Sequence, residues 1–406
     1  MPPAHFIALV EPFWTGHPET QLKIFTETLL QQEENHVLIL CQHPEVFQSW
    51  IRSAHPDKIN RCFTAPFAFC TLRGDYPTPH LATWALAHQT LLNAEKTGGF
   101  VIEKIFITWL DAFICHEPDQ AAALMPRPWV GLYLFPSYLR SLPLLPRFFP
   151  PKQMARDQAF LKIPYCRGVA VLDEGVKKKL SRLIPKAGVH VLPDVADTSL
   201  PVKSPDLSDA ILEKAAGRPI VALLGVLGRR KGTLTFLKAM QGIDPATCFF
   251  LIAGRLEREE RKTYGRDPAE LDNSLAATGS RENVFLHLKH IETEEIFNSL
   301  VSICSVLYLA YEGHHHSSGI LGKAAHFNKL VIVPDKGCMT ERVKEFRLGI
   351  TIPAGSVPHT ATAIRKLCHP ASHSHYYTKA RFDGYRSRHN RNILKESLNN
   401  LLNEIQ

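Results

Sequence analysis

Short apolar runs alternate with amphipathic stretches along the chain. The run His5–Val10 is followed by a turn, a stretch in which Leu22, Phe25 and Leu29 share one helical face, and a second apolar run, "HVLILC". Apolar runs bounded by turns indicate buried strands, whereas spacing of three to four residues indicates an amphipathic helix. Strand, glycine-bearing loop, helix and strand in this order predict a βαβ unit, and therefore a parallel sheet with crossover helices.

The alternation continues with strand candidates at "KIFITWL", "WVGLYLF", "GVAVL" and "VHVLP". After a segment rich in Asp, Ser, Pro and Lys it restarts with "PIVALLG", "CFFLIAG", "NVFLHL", "VLYLAY" and "LVIVP". A chain of 406 residues exceeds the size at which a single core stops growing. We therefore predict an α/β protein with two doubly wound parallel-sheet (Rossmann-like) domains at 1–195 and 218–380. A linker is expected at 196–217, and a closing helix at 381–406 that packs back across the domains.

Composition narrows the class of protein. The content of 45% hydrophobic and 21% charged residues is that of a globular chain. The nine cysteines are scattered without a CxxC pair, which favours neither a disulfide framework nor a thiolate zinc site. The N-terminus lacks a signal-peptide pattern, and no apolar run reaches the length of a membrane span. We therefore expect a cytoplasmic protein.

The net charge of +8 favours acidic partners such as phosphates or anionic lipids. The alternative is a basic surface that has no partner. We do not expect nucleic acid to be a binding partner. The densest basic group comprises Lys177, Lys178, Lys179, Arg182 and Lys186. Such a group is typical of a solvated helix face, and it is also compatible with a peripheral position at the inner face of an anionic membrane.

The loop "GVLGRRKG" lies between a predicted strand and a predicted helix. It combines flexible glycines and a helix start with Arg229, Arg230 and Lys231. Free amides, the helix dipole and cations together favour a phosphate or diphosphate, and the alternative is a solvated basic turn. The loop is neither a P-loop nor a GxGxxG fingerprint, so nucleotide hydrolysis and nicotinamide chemistry are not favoured. Gly254, at the end of the next strand, is expected to have a positive φ.

A run of three histidines, 314–316, precedes a second predicted helix start. Adjacent side chains point apart, so this run does not favour a metal site. Ser317 or Ser318 stands at the expected N-cap, Gly319 allows close approach to the backbone, and Lys323 follows about one turn later. Two helix starts with nearby cations in one domain predict a single diphosphate bound between them.

The segments "LLGVLGRRKGTLTFLKAM", "CFFLIAGRLEREE", "SSGILGKAAHFNKLVIVPDKGCMTERV" and "LGITIP" together resemble the donor-binding domain of the retaining glycosyltransferases of family four. The first half of the chain is similar more loosely. This resemblance implies the GT-B fold, in which two domains face each other across a cleft. It also implies metal-independent, retaining transfer of a sugar from a nucleoside-diphosphate sugar to a glycan, lipid-linked or small-molecule acceptor, with no cofactor besides this co-substrate.

The resemblance also assigns residues to the donor site. Lys231 matches the phosphate-contacting lysine, and the family's preceding arginine is replaced by Arg229 or Arg230. The other matches are Ser318 and Gly319 in the diphosphate loop, Gly16 in the first-domain loop that closes over the donor, and Glu341 after a glycine of the donor domain.

Two motifs depart from the family. Relatives carry two glutamates eight positions apart, where this chain has His315 and Lys323; Glu312 matches the first glutamate if three residues are inserted. The family's first-domain histidine is missing at the end of "VGLYLFP", where this chain has Leu134 and Phe135, and His116 and His17 are possible replacements. Catalytic candidates are therefore His116, Glu312 and His315. Besides a transferase, two hypotheses stay open: a sugar-nucleotide-binding scaffold that has lost catalysis, and a sugar-nucleotide epimerase.

Overall fold

A computed structural model describes residues 5–14, 17–72, 74–136, 138–141, 152–201, 206–257 and 269–405. The chain divides into two compact units. The first contains Met1–Val195 and Asn390–Gln406, and the second contains Ala196–His389. Each unit has its own parallel sheet with helices, which confirms the prediction of two doubly wound α/β domains.

The first sheet has seven parallel strands in the order β3-β2-β1-β4-β5-β6-β7. The strands are β1 (His5–Val10), β2 (Asn35–Cys41), β3 (Cys62–Pro66), β4 (Ile102–Ile107), β5 (Trp129–Leu132), β6 (Cys166–Val171) and β7 (Gly188–Val191). The helices are α1 (His17–Leu29), α2 (Pro44–Ala54), α3 (Pro79–Gly98), α4 (Pro118–Leu124), α5 (Tyr138–Ser141), α6 (Lys152–Phe160) and α7 (Glu174–Leu183). The chain runs outward from β1 to β3 and returns to place β4 beside β1, so the switch point lies between β1 and β4.

Both faces of the first sheet are buried. Alternate residues of β2 enter different clusters: Leu38 packs with Trp84 on one face, and Ile39 packs with Phe25 on the other. A strand covered on both faces needs apolar residues at every position, which explains the continuous apolar runs in the sequence.

The second sheet has six parallel strands in the order β10-β9-β8-β11-β12-β13. The strands are β8 (Ile220–Leu224), β9 (Phe249–Ala253), β10 (Val284–His287), β11 (Val306–Tyr308), β12 (Leu330–Pro334) and β13 (Gly349–Ile352). The helices are α8 (Asp206–Ala215), α9 (Thr233–Gln241), α10 (Ala269–Gly279), α11 (Glu294–Ile303), α12 (Gly319–His326), α13 (Cys338–Phe346), α14 (Val357–Cys368), α15 (Pro370–Lys379) and α16 (Phe382–Arg388). Helix α8 lies within the segment predicted to be a linker.

The last helix, α17 (Arg391–Leu402), belongs to the first unit. The side chain of Asn390 caps it by accepting hydrogen bonds from the backbone amides of Asn392 and Ile393. Its apolar face completes one of the two first-unit clusters through Leu394, Leu398, Leu401 and Leu402. No helix within the described ranges has both the length and the apolar character needed to cross a membrane.

Candidate functional site

The switch point of the second sheet lies between β8 and β11, which are parallel neighbours. The chain leaves β8 toward β9 on one side and returns through β11 on the other, so the loops after these two strands diverge and leave a crevice. The loop after β8 is the basic loop (225–232). The loop after β11 is the histidine loop (309–318).

Two glycines let the basic loop pass very close to the end of β9. Gly225 has a φ of 95° and donates a 2.9 Å hydrogen bond from its amide to the carbonyl of Ala253. Gly254 has a φ of 136°, which confirms the predicted positive φ, and a Cβ there would lie 1.9 Å from the carbonyl oxygen of Gly225. A Cβ on Gly225 would lie 2.7 Å from Nζ of Lys231. A side chain at Gly254 would therefore collide with the backbone, and one at Gly225 would displace the ammonium of Lys231.

Lys231 is buried at the centre of the crevice. It ends a 3-10 turn, Arg229–Lys231, and its Nζ donates a 2.6 Å hydrogen bond to the carbonyl of Leu224. Burial lowers the pKa of Lys231, while the interaction with Tyr311 opposes that shift. The carbonyl and the ring fix the position of the ammonium.

Two cations of the basic loop lie over the ring of Tyr311. Nζ of Lys231 lies 5.2 Å from the centre of its ring, and the guanidinium of Arg230 lies 5.6 Å from it. Its hydroxyl lies 3.4 Å from Oγ of Ser318. The side chain of Tyr311 therefore spans the distance from the basic loop to the start of α12. The sequence did not single out this residue, because its only signal was an aromatic side chain shortly after a strand and shortly before Gly313.

The histidines are held by packing and backbone contacts. The ring of His314 packs against those of Tyr311 and His316, with its Nε2 3.1 Å from the carbonyl of Ser317. Burial lowers the pKa of His314 to about 4, so this imidazole is neutral at pH 7. In the described part of the chain, the nitrogens of the three histidines do not converge within 4.8 Å of one another. The run therefore does not form a shared ligand set.

The start of α12 faces the same crevice. Ser318 is its N-cap, with an extended backbone and no side-chain capping bond, and Gly319 is the first helical residue. The carbonyl of Ser318 accepts the amide hydrogen of Leu321, as in the first turn of a helix. The amides that precede Leu321 in this turn have no carbonyl one turn earlier to bond, so this end of α12 presents donors and a positive dipole end.

Glu312 lies within this cluster. Its amide donates to the carbonyl of Arg230 at 2.8 Å, and its Oε1 accepts a 2.7 Å hydrogen bond from the hydroxyl of Thr235 on α9. The backbone of Glu312 thus contacts the basic loop, and its carboxylate contacts the first turn of α9, which follows that loop.

Lys323 has a different environment from the one expected of a phosphate ligand. Its Nζ donates three hydrogen bonds of 2.6 Å, to the carbonyl of Asp197, Oε2 of Glu294 and Oδ1 of Asn298. An ammonium has three hydrogens, so these contacts account for all of them. The contacts favour a structural role, in which Lys323 ties the beginning of the second unit to α11 and α12.

The remaining candidates are spread over the chain. The carbonyl of His315 accepts the amide hydrogen of Cys338 at 2.9 Å, which brings the start of α13 against the histidine loop. Glu341 is exposed in the first turn of α13. His116 is exposed in the first unit, after β4. Gly16 lies outside the described residues, and so does the side chain of His17.

At the switch point of the first sheet lies a carboxyl group that no sequence motif indicated. Glu11 directly follows β1 and is fully buried. Its Oε1 accepts the amide hydrogen of Phe13 at 3.0 Å, and its Oε2 lies 2.8 Å from Oγ1 of Thr108, which follows β4. Burial raises the pKa of Glu11 to about 8.

A second carboxyl group organises the loop after β5. Asp111 accepts amide hydrogens from Leu134 at 2.8 Å and from Phe135 at 2.9 Å, the two positions where relatives were expected to have a histidine. Burial raises the pKa of Asp111 to about 6.

Neither a protein-family model nor a curated protein matches this sequence. The structure, in contrast, aligns with solved glycosyltransferases over nearly its full length. Sucrose-phosphate synthase from Thermosynechococcus elongatus aligns with a TM-score of 0.70 at 16% identity, over 99% of both chains. A glycosyltransferase from Rickettsia africae ESF-5 gives a TM-score of 0.68 at 13% identity, over 99% of this chain and 98% of that one. The chain has the GT-B fold.

Another protein with this fold is Anabaena Alr3699/HepE, solved in complex with UDP and glucose. It aligns with a TM-score of 0.68 at 13% identity, over 98% of this chain and 99% of that one. The fold class predicted from the sequence is confirmed. Within this GT-B fold, the second switch point brings together the basic loop, Tyr311, Glu312 and the start of α12.

Proposed function

We propose that this protein is a glycosyltransferase that transfers a sugar from a nucleoside-diphosphate sugar to an acceptor. The observation that carries the proposal is the pairing of the basic loop with the start of α12 across the second switch point. Donor amides on one side and cations on the other suit a diphosphate. The resemblance of this fold to that of HepE, which was solved with UDP and glucose, supports a nucleotide sugar as the donor.

In the proposed reaction, the leaving diphosphate is neutralised by the protein itself. Arg229, Arg230 and Lys231 provide three positive charges, and the amides at Ser318 and Gly319 provide hydrogen bonds. Groups that are already oriented toward developing negative charge stabilise the transition state without reorganisation. On this basis we propose a metal-independent, retaining transferase that uses the nucleotide sugar as its only co-substrate.

We assign Glu312 to the sugar side of the site. Its backbone is bonded to the basic loop at Arg230, and its carboxylate, oriented by Thr235, has acceptor capacity left for sugar hydroxyls. His315 and Glu341 flank the site through the contact between the histidine loop and α13. Lys323 is not included, because its three hydrogens are bound elsewhere.

A panel of UDP-, GDP- and ADP-sugars tests the proposal by thermal shift and by turnover. At least one of them is expected to raise the melting temperature and to be consumed. Lys231→Ala is expected to weaken binding of that nucleotide sugar by about 1–3 kcal/mol, or roughly 5- to 150-fold in Kd, because a charged hydrogen-bond donor is lost. Lys178→Ala, on the exposed face of α7, is the control. Unchanged affinity in Lys231→Ala would contradict the assignment of the basic loop.

The second candidate is a sugar-nucleotide-binding protein without transfer activity. The observation that favours it is that Lys323 is hydrogen-bonded to Glu294, although the resemblance implies an acid at position 323. Stabilisation by a nucleotide sugar, together with no transfer and no hydrolysis under any acceptor tried, would decide for this candidate.

We propose that the acceptor is met at the cytoplasmic side of an anionic membrane. On α7 and just after it, Lys177, Lys178, Arg182 and Lys186 are exposed, whereas Lys179 donates to the carbonyl of Leu139 at 2.7 Å. Each basic residue near such a surface contributes about 1 kcal/mol. Replacing the four exposed residues by Gln should abolish sedimentation with vesicles containing phosphatidylserine. Equal sedimentation with neutral vesicles would contradict the proposal.

A further inference from the structure

We propose that the second unit has a separate binding site for a small phosphomonoester. The site is a pocket of about 260 Å³ at the edge of the second sheet, beside β13. It is lined, among others, by Lys344, Arg347, Thr351, Tyr376 and Lys379. None of these residues belongs to the basic loop, the histidine loop or α12, so the inference does not depend on the proposed transferase activity.

Three cations from two helices converge on the pocket. Lys344 lies in the last turn of α13, Arg347 is the C-cap of that helix, and Lys379 lies in the last turn of α15. All three side chains are exposed, and among the residues that the structure describes no carboxylate lines the pocket. Across the described ranges, none of the three makes an ion pair.

The positive charge of these three side chains exceeds the negative charge at the two helix ends. The carboxyl ends of α13 and α15 each carry roughly half a negative charge, so together they offset about one of the three cations. About two positive charges remain. A phosphomonoester carries about −1.5 to −2 at pH 7, which matches this excess better than a carboxylate does.

The other lining groups suit a phosphate ester as well. The hydroxyl of Thr351 is a donor for a phosphate oxygen. The ring of Tyr376, which has Nζ of Lys366 5.4 Å from its centre, provides an apolar wall for the esterified group. The volume lies just below the range of about 300–1,000 Å³ typical of small-molecule sites, which favours a sugar phosphate or a headgroup over a nucleotide.

Calorimetric titration of the full chain with inorganic phosphate and glucose 6-phosphate tests the site. Saturating UDP is present throughout, and the titration is repeated in Lys231→Ala, so that binding at the basic loop is separated from binding at the pocket. The triple variant Lys344→Gln, Arg347→Gln, Lys379→Gln is expected to bind glucose 6-phosphate at least tenfold more weakly. The control, Arg52→Gln, Lys96→Gln, Lys162→Gln, removes the same charge from exposed positions of the first unit.

Lys379→Gln alone, at an exposed position, keeps the test valid if the triple variant does not fold; it should weaken binding at least threefold. Soluble short-chain phosphatidic acid, titrated in parallel, distinguishes a lipid headgroup from a free sugar phosphate as the source of the ester. Preference for either ligand, lost in the variants, supports the site. Absence of millimolar binding in the unchanged protein, or equal weakening in the control, would overturn it.

Discussion

Nζ of Lys323 on α12 lies 2.6 Å from Oε2 of Glu294 at the start of α11. The pair is asymmetric, because the side chain of Lys323 is 8% exposed and that of Glu294 is 35% exposed. The buried partner also binds Asn298 and the carbonyl of Asp197. Removing the lysine side chain therefore breaks three hydrogen bonds, whereas removing the carboxylate breaks only the one between this pair.

This asymmetry predicts unequal costs for the two partners. Lys323→Met should lower the free energy of unfolding by about 2–4 kcal/mol, since it leaves buried acceptors without a donor. Glu294→Gln should cost about 0–1 kcal/mol, because its partner keeps two acceptors and solvent screens the pair. Denaturant titration measures both, with Lys178→Met as the control. Nucleotide affinity of the folded Lys323→Met variant should be unchanged; a loss would return this lysine to the donor site.

Gly254→Ala should destabilise the second unit by more than about 2 kcal/mol. The new Cβ would lie 1.9 Å from the carbonyl oxygen of Gly225, and the φ of 136° is strained for alanine. Gly242→Ala is the matched control, because its nearest neighbour would be 3.8 Å away and its φ is −88°. Differential scanning calorimetry compares the two. Similar melting temperatures would show that the basic loop can move away from β9.

Glu11 should retain its proton at neutral pH. Oγ1 of Thr108 lies 3.0 Å from the carbonyl of Val10 and 2.8 Å from Oε2 of Glu11, yet a hydroxyl has only one hydrogen. All groups are satisfied if the carboxyl donates to Thr108 and Thr108 donates to Val10. This hydrogen count agrees with the raised pKa of Glu11, about 8.

The consequence is a pH dependence of stability that Glu11→Gln removes. Between pH 4.5 and 8 the folded state holds a proton that the unfolded state has lost, so stability falls as pH rises, by up to about 1.4 kcal/mol per pH unit. Glu11→Gln stays neutral, and it should be the more stable protein at pH 8. The unfolding free energies of both proteins from pH 5 to 8 provide the measurement. Parallel curves would mean that the native carboxyl is ionised.

The lowered pKa of His314 predicts that stability changes with pH in the opposite direction at lower pH. Its pKa is lowered from its ordinary value near 6.5 to about 4, so between these pH values only the unfolded state is protonated at this site. Stability should therefore fall as pH decreases from 6.5 to 4, and less steeply in His314→Gln. The imidazole resonance followed by NMR should titrate near pH 4. Titration near 6.5 would show that the ring is exposed to solvent.

The sequence predicted those features that depend on local pattern. The apolar runs of β8, β9 and β12 are fully buried strands, and this burial is why they stand out in the sequence. The strand β3 (Cys62–Pro66) was missed, because it is short, mostly half-buried and ends in proline, so that neither an apolar run nor a clear alternation marks it.

The site was less predictable because its contacts are distant in sequence. The partners of Lys323 come from positions 197, 294 and 298, and no local pattern links them to α12. Tyr311 matters only because the fold brings Lys231 and Arg230 onto its ring. In contrast, the glycines and cations of the basic loop are contiguous, which is why the sequence could indicate them.

The first unit is discontinuous, since its last helix follows the whole of the second unit. During synthesis the chain emerges at about 5–20 residues per second, so α17 appears roughly 10–40 s after Val195. Until then, the cluster that contains Leu394, Leu398 and Leu401 has no covering helix. The nascent first unit therefore exposes this apolar face throughout the interval. An exposed apolar face of this kind is a surface that chaperones bind on ribosome-bound chains.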